Sequence, residues 1–224
     1  MIAVANTISG DTASTRSLNI SAVGTGSVVS LGGAVGTVNL TTVCVTASAI
    51  ALNGATVTSS GNQTYAGAVT LGAGTTLTAS NVTTTSGSTI AGAANTLNVS
   101  GNAYVGGDVS AVSTLNVSGT TRLNANVSTT GNQTYSGAMT VAANTSLAAS
   151  DANSTITLAS TLDGDTAATK TLNITSNTTS GKVVLGGVVG TVNLSALNVT
   201  AKDIAMNATA VTTSGNQTLS LIHI

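Results

Sequence analysis

Leu31-Gly-Gly-Ala-Val-Gly-Thr-Val-Asn-Leu40 returns 154 residues later as Leu185-Gly-Gly-Val-Val-Gly-Thr-Val-Asn-Leu194. Gly10-Asp-Thr-Ala13 returns as Gly164-Asp-Thr-Ala167, and Gly61-Asn-Gln-Thr64 as Gly215-Asn-Gln-Thr218, at the same offset. More than fifty residues are thus copied with no net insertion or deletion. Self-similarity at a fixed period marks an array whose units bury a hydrophobic face only by stacking on their neighbours. The repeat points to an elongated array and to no particular chemistry.

A shorter period lies inside the long one. Leu18, Val38, Val57, Leu77, Leu97 and Leu115 follow at steps of 18 to 20, and the series resumes at Leu172, Val192 and Val211. Around these points apolar residues alternate with polar ones, as in Leu18-Asn-Ile20, Leu97-Asn-Val99 and Leu172-Asn-Ile174. Spacing i, i+2 is the strand period, with one face buried and the other wet. A sandwich of antiparallel strands gives no reason for one motif to recur at a nearly fixed step. A solenoid does, because equivalent residues of successive coils lie ~4.8 Å apart in one environment. The expected fold is therefore all-β: a right-handed parallel β-helix of about 19–20 residues per coil, without significant helix, about eleven coils and about 50 Å long. The right hand is expected because no hexapeptide period is evident and parallel crossovers are normally right-handed.

Composition agrees with a thin tube. Phe, Trp, Pro and Glu are absent, and charged residues make up 5% of the chain, against roughly 25% in an average domain. Without large aromatics the interior must close on Val, Leu, Ile and Ala. Pro is excluded where each strand pairs on both sides. The hydrophobic content of 42% and the lack of charge runs speak against disorder. Net charge is -1 with no basic stripe, which argues against nucleic-acid binding. No apolar run approaches the ~20 residues of a membrane span, and no signal-peptide pattern opens the chain. Residues 1–218 are expected to be one solenoid segment, internal to a longer protein. The ending Leu219-Ser-Leu-Ile-His-Ile224 reads as translated sequencing-adapter sequence and is expected to be a non-native tail.

A third feature follows neither period: Ser60-Gly-Asn-Gln-Thr-Tyr-Ala-Gly-Ala-Val-Thr-Leu71, Thr130-Gly-Asn-Gln-Thr-Tyr-Ser-Gly-Ala-Met-Thr-Val141 and Ser214-Gly-Asn-Gln-Thr218. These units, joined by Leu97-Asn-Val-Ser-Gly101 and Leu115-Asn-Val-Ser-Gly119, resemble the β-strand repeats of large bacterial surface proteins. The resemblance is to the filamentous haemagglutinin-like group of two-partner-secreted exoproteins, then to autotransporter passengers, and it covers nearly all of residues 8–218. It implies a right-handed β-helix exported across the outer membrane of a Gram-negative cell, secreted or held at its surface. Such repeats are the shaft of an adhesin whose ligands lie on host cells, other bacteria or matrix.

Chemistry needs titratable groups brought together. His223 is the only histidine and sits in the suspect tail, which leaves no Ser–His or Cys–His nucleophile arrangement. Cys44 is alone, so an internal disulfide and a cysteine metal cluster are excluded. Asp163 and Asp165 would share a strand face and could do glycosidase work; their counterparts are Ser9 and Asp11, so the pair is not part of the repeating design. Asp11 with Arg16 recurs as Asp165 with Lys170, read as a weak ion pair at a coil corner. Asn-x-Ser/Thr sequons at Asn19, Asn39, Asn98, Asn116, Asn173, Asn193 and Asn198 read as a by-product of a wet Asn/Thr face. Thr56-Val-Thr58, Thr76-Leu-Thr78 and Thr155-Ile-Thr157 raise an ice-binding surface, in broken register, and Tyr65, Tyr104 and Tyr135 are few for sugar stacking. No cofactor, metal, catalytic residue or enzyme activity is therefore expected. The preferred reading is a structural shaft; the alternatives are a polysaccharide-active β-helix enzyme and an ice-binding solenoid. An uncapped segment exposes a strand edge at each end and could associate end to end.

Overall fold

Twenty-six short strands, from Ile2–Val4 to Gln217–Leu221, pair in parallel as one continuous sheet in the computed structural model, which describes residues 1–221. Among the described residues there is no helix. The sheet winds into a three-sided tube, and each side is a column of residues in register. The first face rises from Leu18 through Val43, Gln63 and Val82 to Val189 and Val211. The second rises from Ile2 through Val29 and Ile50 to Val199 and Leu219, ten parallel steps in all. The third rises from Ile8 through Val35, Val57 and Leu77 to Leu185 and Met206. Ten steps of ~4.8 Å make a rod about 50 Å long.

Strands along the middle of the tube bury residues i and i+2 and turn the residue between them outward, as in Leu115–Val117, Thr121–Leu123 and Met139–Val141. The inward positions form one aliphatic core from end to end. A turn takes 18 residues at the centre, where Leu115 stands between Leu97 and Gln133, and 27 near either end, where Ile2 meets Val29 and Leu162 meets Val189. The surplus residues go into outward loops such as 9–17 and 165–170. From Leu97 through Ala103, Val109 and Leu115 to Met139 the inward positions recur every six residues, one face per step. This hexapeptide spacing is contrary to the expectation of none: alternation common to all three faces hides the six-residue step. The preference for a right hand then rests on the general handedness of parallel crossovers alone.

The short series read from the sequence needs one correction. Leu97 does lie under Leu115, and Val57 under Leu77. Val38 and Val192, however, are 38% exposed and outside the core. Val35 pairs with Val57 and Leu40 with Ser59, so five steps on one strand oppose two on its partner, and the three surplus residues bulge outward. Val189 with Val211 and Leu194 with Thr213 repeat the arrangement. Gly36 opens the first bulge at φ 77° and Gly190 the second at φ 83°. A Cβ at either would overlap the carbonyl oxygen of Thr58 or Thr212 in the next coil, so only glycine fits.

The long repeat is in phase with the faces, not with the coils. Seven steps up the first face lead from Leu18 to Leu162. Leu172, the copy of Leu18, comes next, on the second face above Thr145. The 154 residues therefore span seven turns and one face, and the second copy is rotated by a third of a turn. The three Gly-Asn-Gln-Thr units accordingly occupy three different sides: Gln63 the first, Gln133 the third and Gln217 the second. One motif fits all three because each side offers the same inside and the same outside.

Candidate functional surface

The Gly-Asn-Gln-Thr-Tyr unit turns out to be an internal brace. Gln63, Tyr65, Gln133 and Tyr135 are fully buried. In each copy the tyrosine hydroxyl donates to the glutamine Oε1 at 3.0 Å. Gln63 Nε2 donates to the carbonyls of Val57 and Thr78, and Gln133 Nε2 to Ala148 O and Thr129 Oγ1, so neighbouring coils are tied together. Burial holds both phenols neutral, well above the usual tyrosine range. In the third copy Gln217 still donates to Val211 O, while Leu219 stands where tyrosine stood. Of the three tyrosines only Tyr104 reaches the surface, so they do not form an aromatic platform.

Charge gathers outside at one place. Asp165 pairs with Arg122 at 3.1 Å and with Lys170 at 3.7 Å, and the Arg122 guanidinium lies 6.0 Å from the centre of the Tyr104 ring. Asp11 pairs with Arg16 at 2.9 Å in the other copy. The corner ion pairs expected from the recurrence are present. Arg122, 43 residues before Asp165, had no sequence signal linking it to them. Asp163 is engaged elsewhere: its Oδ1 accepts from Thr191 Oγ1 at 2.6 Å and from the Val192 amide at 3.0 Å. Ser9 Oγ accepts from Thr37 Oγ1 and the Val38 amide in the first copy. Ser9 and Asp163 therefore both cap the outward bulge, and the two aspartates serve different loops. His223 lies outside the described residues.

The outward positions form ladders. Asn81 donates to Asn62 and Asn102 to Asn81, at 2.9 and 3.1 Å. Asn116 donates to Asn98, and Asn198 to Asn173, both at 2.8 Å. Hydrogen-bonded ladders of this kind run along cross-strand stacks. The sequon residues Asn98, Asn116, Asn173 and Asn198 thus spend their amides along the stack, on the wet side with their Ser/Thr partners. Cys44 is half-buried in the same register, over Asn19 and under Thr64. The threonine array spans two levels only, Thr56 under Thr76 and Thr58 under Thr78, before Asn98 and Ser100 take over.

The cavity is internal. About 30 Å³ is enclosed among Leu77, Val82, Ile90, Leu97, Val99 and Ala103, at the levels between the two Gln–Tyr braces. Its wall is mainly hydrocarbon; Thr84 and Tyr104 are the residues of the lining that carry a hydroxyl, and Thr84 Oγ1 already accepts from the Gly106 amide at 3.0 Å. No helix among the described residues is long and apolar enough to cross a membrane. Neither family models nor curated proteins nor solved structures yield a match to this chain. Fold and surface together define a β-solenoid repeat protein whose outward positions are mostly polar.

Proposed function

We propose that this chain is a shaft segment of a secreted or surface-attached bacterial adhesin, giving reach and stiffness and carrying no catalytic site. One observation supports the reading above the rest: the same units occupy all three sides of the rod, so no side is set apart as a groove. The polar groups that could have made a site serve the scaffold instead. Asp163 caps a bulge, Asp165 ties two loops, and the asparagines bond along the axis. Repeat solenoids gain length by adding coils, each contacting only its neighbours. The ligands of the whole protein, on host cells, other bacteria or matrix, would be met through this outer surface or through regions it carries outward.

Immunogold labelling of intact producing cells with antibody to residues 1–221 tests the assignment. Label outside the outer membrane is expected; label only after permeabilisation would overturn it.

A further inference from the structure

Asn53-Gly54 is the only asparagine–glycine pair in the sequence. It forms the corner between the second face, which ends at Leu52, and the third, which resumes at Thr56. The corner is drawn in close. The Gly33 carbonyl oxygen fills the place a Cβ on residue 54 would take, and the Asn53 amide fills the place left by the missing Cβ of Gly72 in the next coil. Asn53 itself is exposed, with Nδ2 donating to Ser30 Oγ at 3.2 Å. The main-chain amides of Asn53 and Gly54 both donate to Leu31 O, at 2.9 and 3.2 Å, so Gly54 holds only the longer arm of a shared acceptor. The second long repeat builds the same corner from Asn207-Ala208. There both amides share Leu185 O, at 2.9 and 3.0 Å, and Asn207 is again exposed. The two corners differ at the residue after asparagine: Ala208 carries a β-carbon and Gly54 does not.

We infer that Asn53 is a modification site, at which its side chain closes on the Gly54 nitrogen and is converted to aspartate and isoaspartate. The Gly54 nitrogen gives its proton to a solvent base and bonds to Asn53 Cγ. The Cγ–Nδ2 bond breaks, and Nδ2 leaves as ammonia with a proton taken from water. Water then opens the five-membered imide. Addition at Cγ restores the main chain with aspartate; addition at the Asn53 carbonyl carbon routes the main chain through Cγ as isoaspartate. Nothing is oxidised or reduced, and water is the one co-reactant. Closing the ring needs a free turn of the backbone and close approach to the nitrogen of residue 54, and a missing Cβ allows both. The exposed corner admits water, and the long Gly54 amide bond is the one given up. Each conversion adds a carboxylate, taking the formal net charge from -1 to -2, and removes the donor to Ser30 Oγ. Isoaspartate also lengthens the corner by a methylene, between faces whose register is held by the coils below and above.

Peptide mapping by mass spectrometry tests this on the full chain, kept folded in mildly alkaline buffer made with heavy-oxygen water. Each conversion then carries an oxygen label, and circular dichroism follows the strands. Label should accumulate at residue 53, with isoaspartate the larger share, and several-fold more slowly at residue 207. Asn53→Gln, whose longer side chain cannot close the five-membered ring, should abolish label at 53 and leave 207 unchanged. Ala208→Gly should raise labelling at Asn207 several-fold, towards the rate at Asn53. The ratio between the two corners of the wild-type chain is read without any variant, so it stands even if one of these fails to fold. An unlabelled Asn53 in the folded chain, or equal rates at Asn53 and Asn207, would overturn the inference. Label that appears at Asn53 only in urea would overturn it too, showing that the corner protects the amide instead of exposing it.

Discussion

The Val192 amide donates to Asp163 Oδ1 at 3.0 Å, and that bond carries the outward bulge of the second long repeat. In the first repeat the Val38 amide donates to Ser9 Oγ over the same distance. Chemically different residues thus do one job at equivalent points. Asp163→Ser should change unfolding free energy by no more than ~0.5 kcal/mol. Asp163→Ala leaves the Val192 amide and the Thr191 hydroxyl without their acceptor, and should cost about 1–2 kcal/mol in urea denaturation. Equal loss in both variants would mean that the carboxylate itself is required.

Cys44 occupies a ladder position. Its counterpart Asn198 bonds to Asn173 at 2.8 Å, and Cys44 stands over Asn19, the counterpart of Asn173. Cys44→Asn should therefore build a bond the chain lacks and raise stability by up to ~1 kcal/mol, the usual net worth of one such bond. A raised urea midpoint with unchanged slope is the expected result; a lowered midpoint would show that the half-buried site has no room for the amide.

The alternation of apolar and polar residues and the corner ion pairs were legible because the first depends on neighbours one or two residues away and the second on a recurrence visible at 154. Register was not. Val38-Asn-Leu40 alternates like any strand, and only the geometry at Gly36 turns Val38 outward. The steps of 18 to 20 mix columns: Leu77 lies under Val99, with Leu97 over Thr75. A six-residue count from Leu97 to Met139 would have separated the three faces. The Gln–Tyr brace gave no cue either, because Gly-Asn-Gln-Thr-Tyr reads as a polar corner until both side chains are seen inside the tube.

That brace makes alkaline pH a probe of the fold. Burial raises the phenols of Tyr65 and Tyr135 far above an unfolded value of about 10. Their neutral form is the native one, so their contribution is complete below pH ~10. Above it the unfolded chain alone ionises, and stability must fall as pH rises. Thermal unfolding should weaken steeply between pH ~10 and ~12, with the loss roughly halved in Tyr135→Leu, the residue type the third copy carries. A pH-independent melting temperature over that range would contradict the buried assignment.

Among the described residues, two core hydroxyls lack partners. Thr121 Oγ1 and Thr145 Oγ1 are buried with no hydrogen-bond acceptor or donor in reach. Thr121 lies in the first-face column between Ala103 and Met139. Desolvating an unpaired hydroxyl costs about 1–3 kcal/mol. Thr121→Val keeps the branched shape and the strand preference, and should stabilise the chain by about 1 kcal/mol in urea denaturation. A destabilised variant would mean that the hydroxyl is satisfied in solution.

Ala103 borders the internal cavity of about 30 Å³ and sits over Val82 on the first face. A void walled mainly by hydrocarbon costs its lining dispersion contacts. Ala103→Val adds two methyl groups toward it, each worth up to ~0.8 kcal/mol if accommodated. Overfilling carries a strain cost of about 1–3 kcal/mol. Which term prevails depends on how far the parallel stack can yield, and the pairing of Ala103 with both Val82 and Thr121 fixes its height on either side. Ala103 already forms part of the wall, so filling should prevail. The expected outcome is a melting temperature raised by about 1–3 °C, since 1 kcal/mol moves a chain of this size by roughly 2–4 °C. A fall of that size would place the cavity out of reach of residue 103.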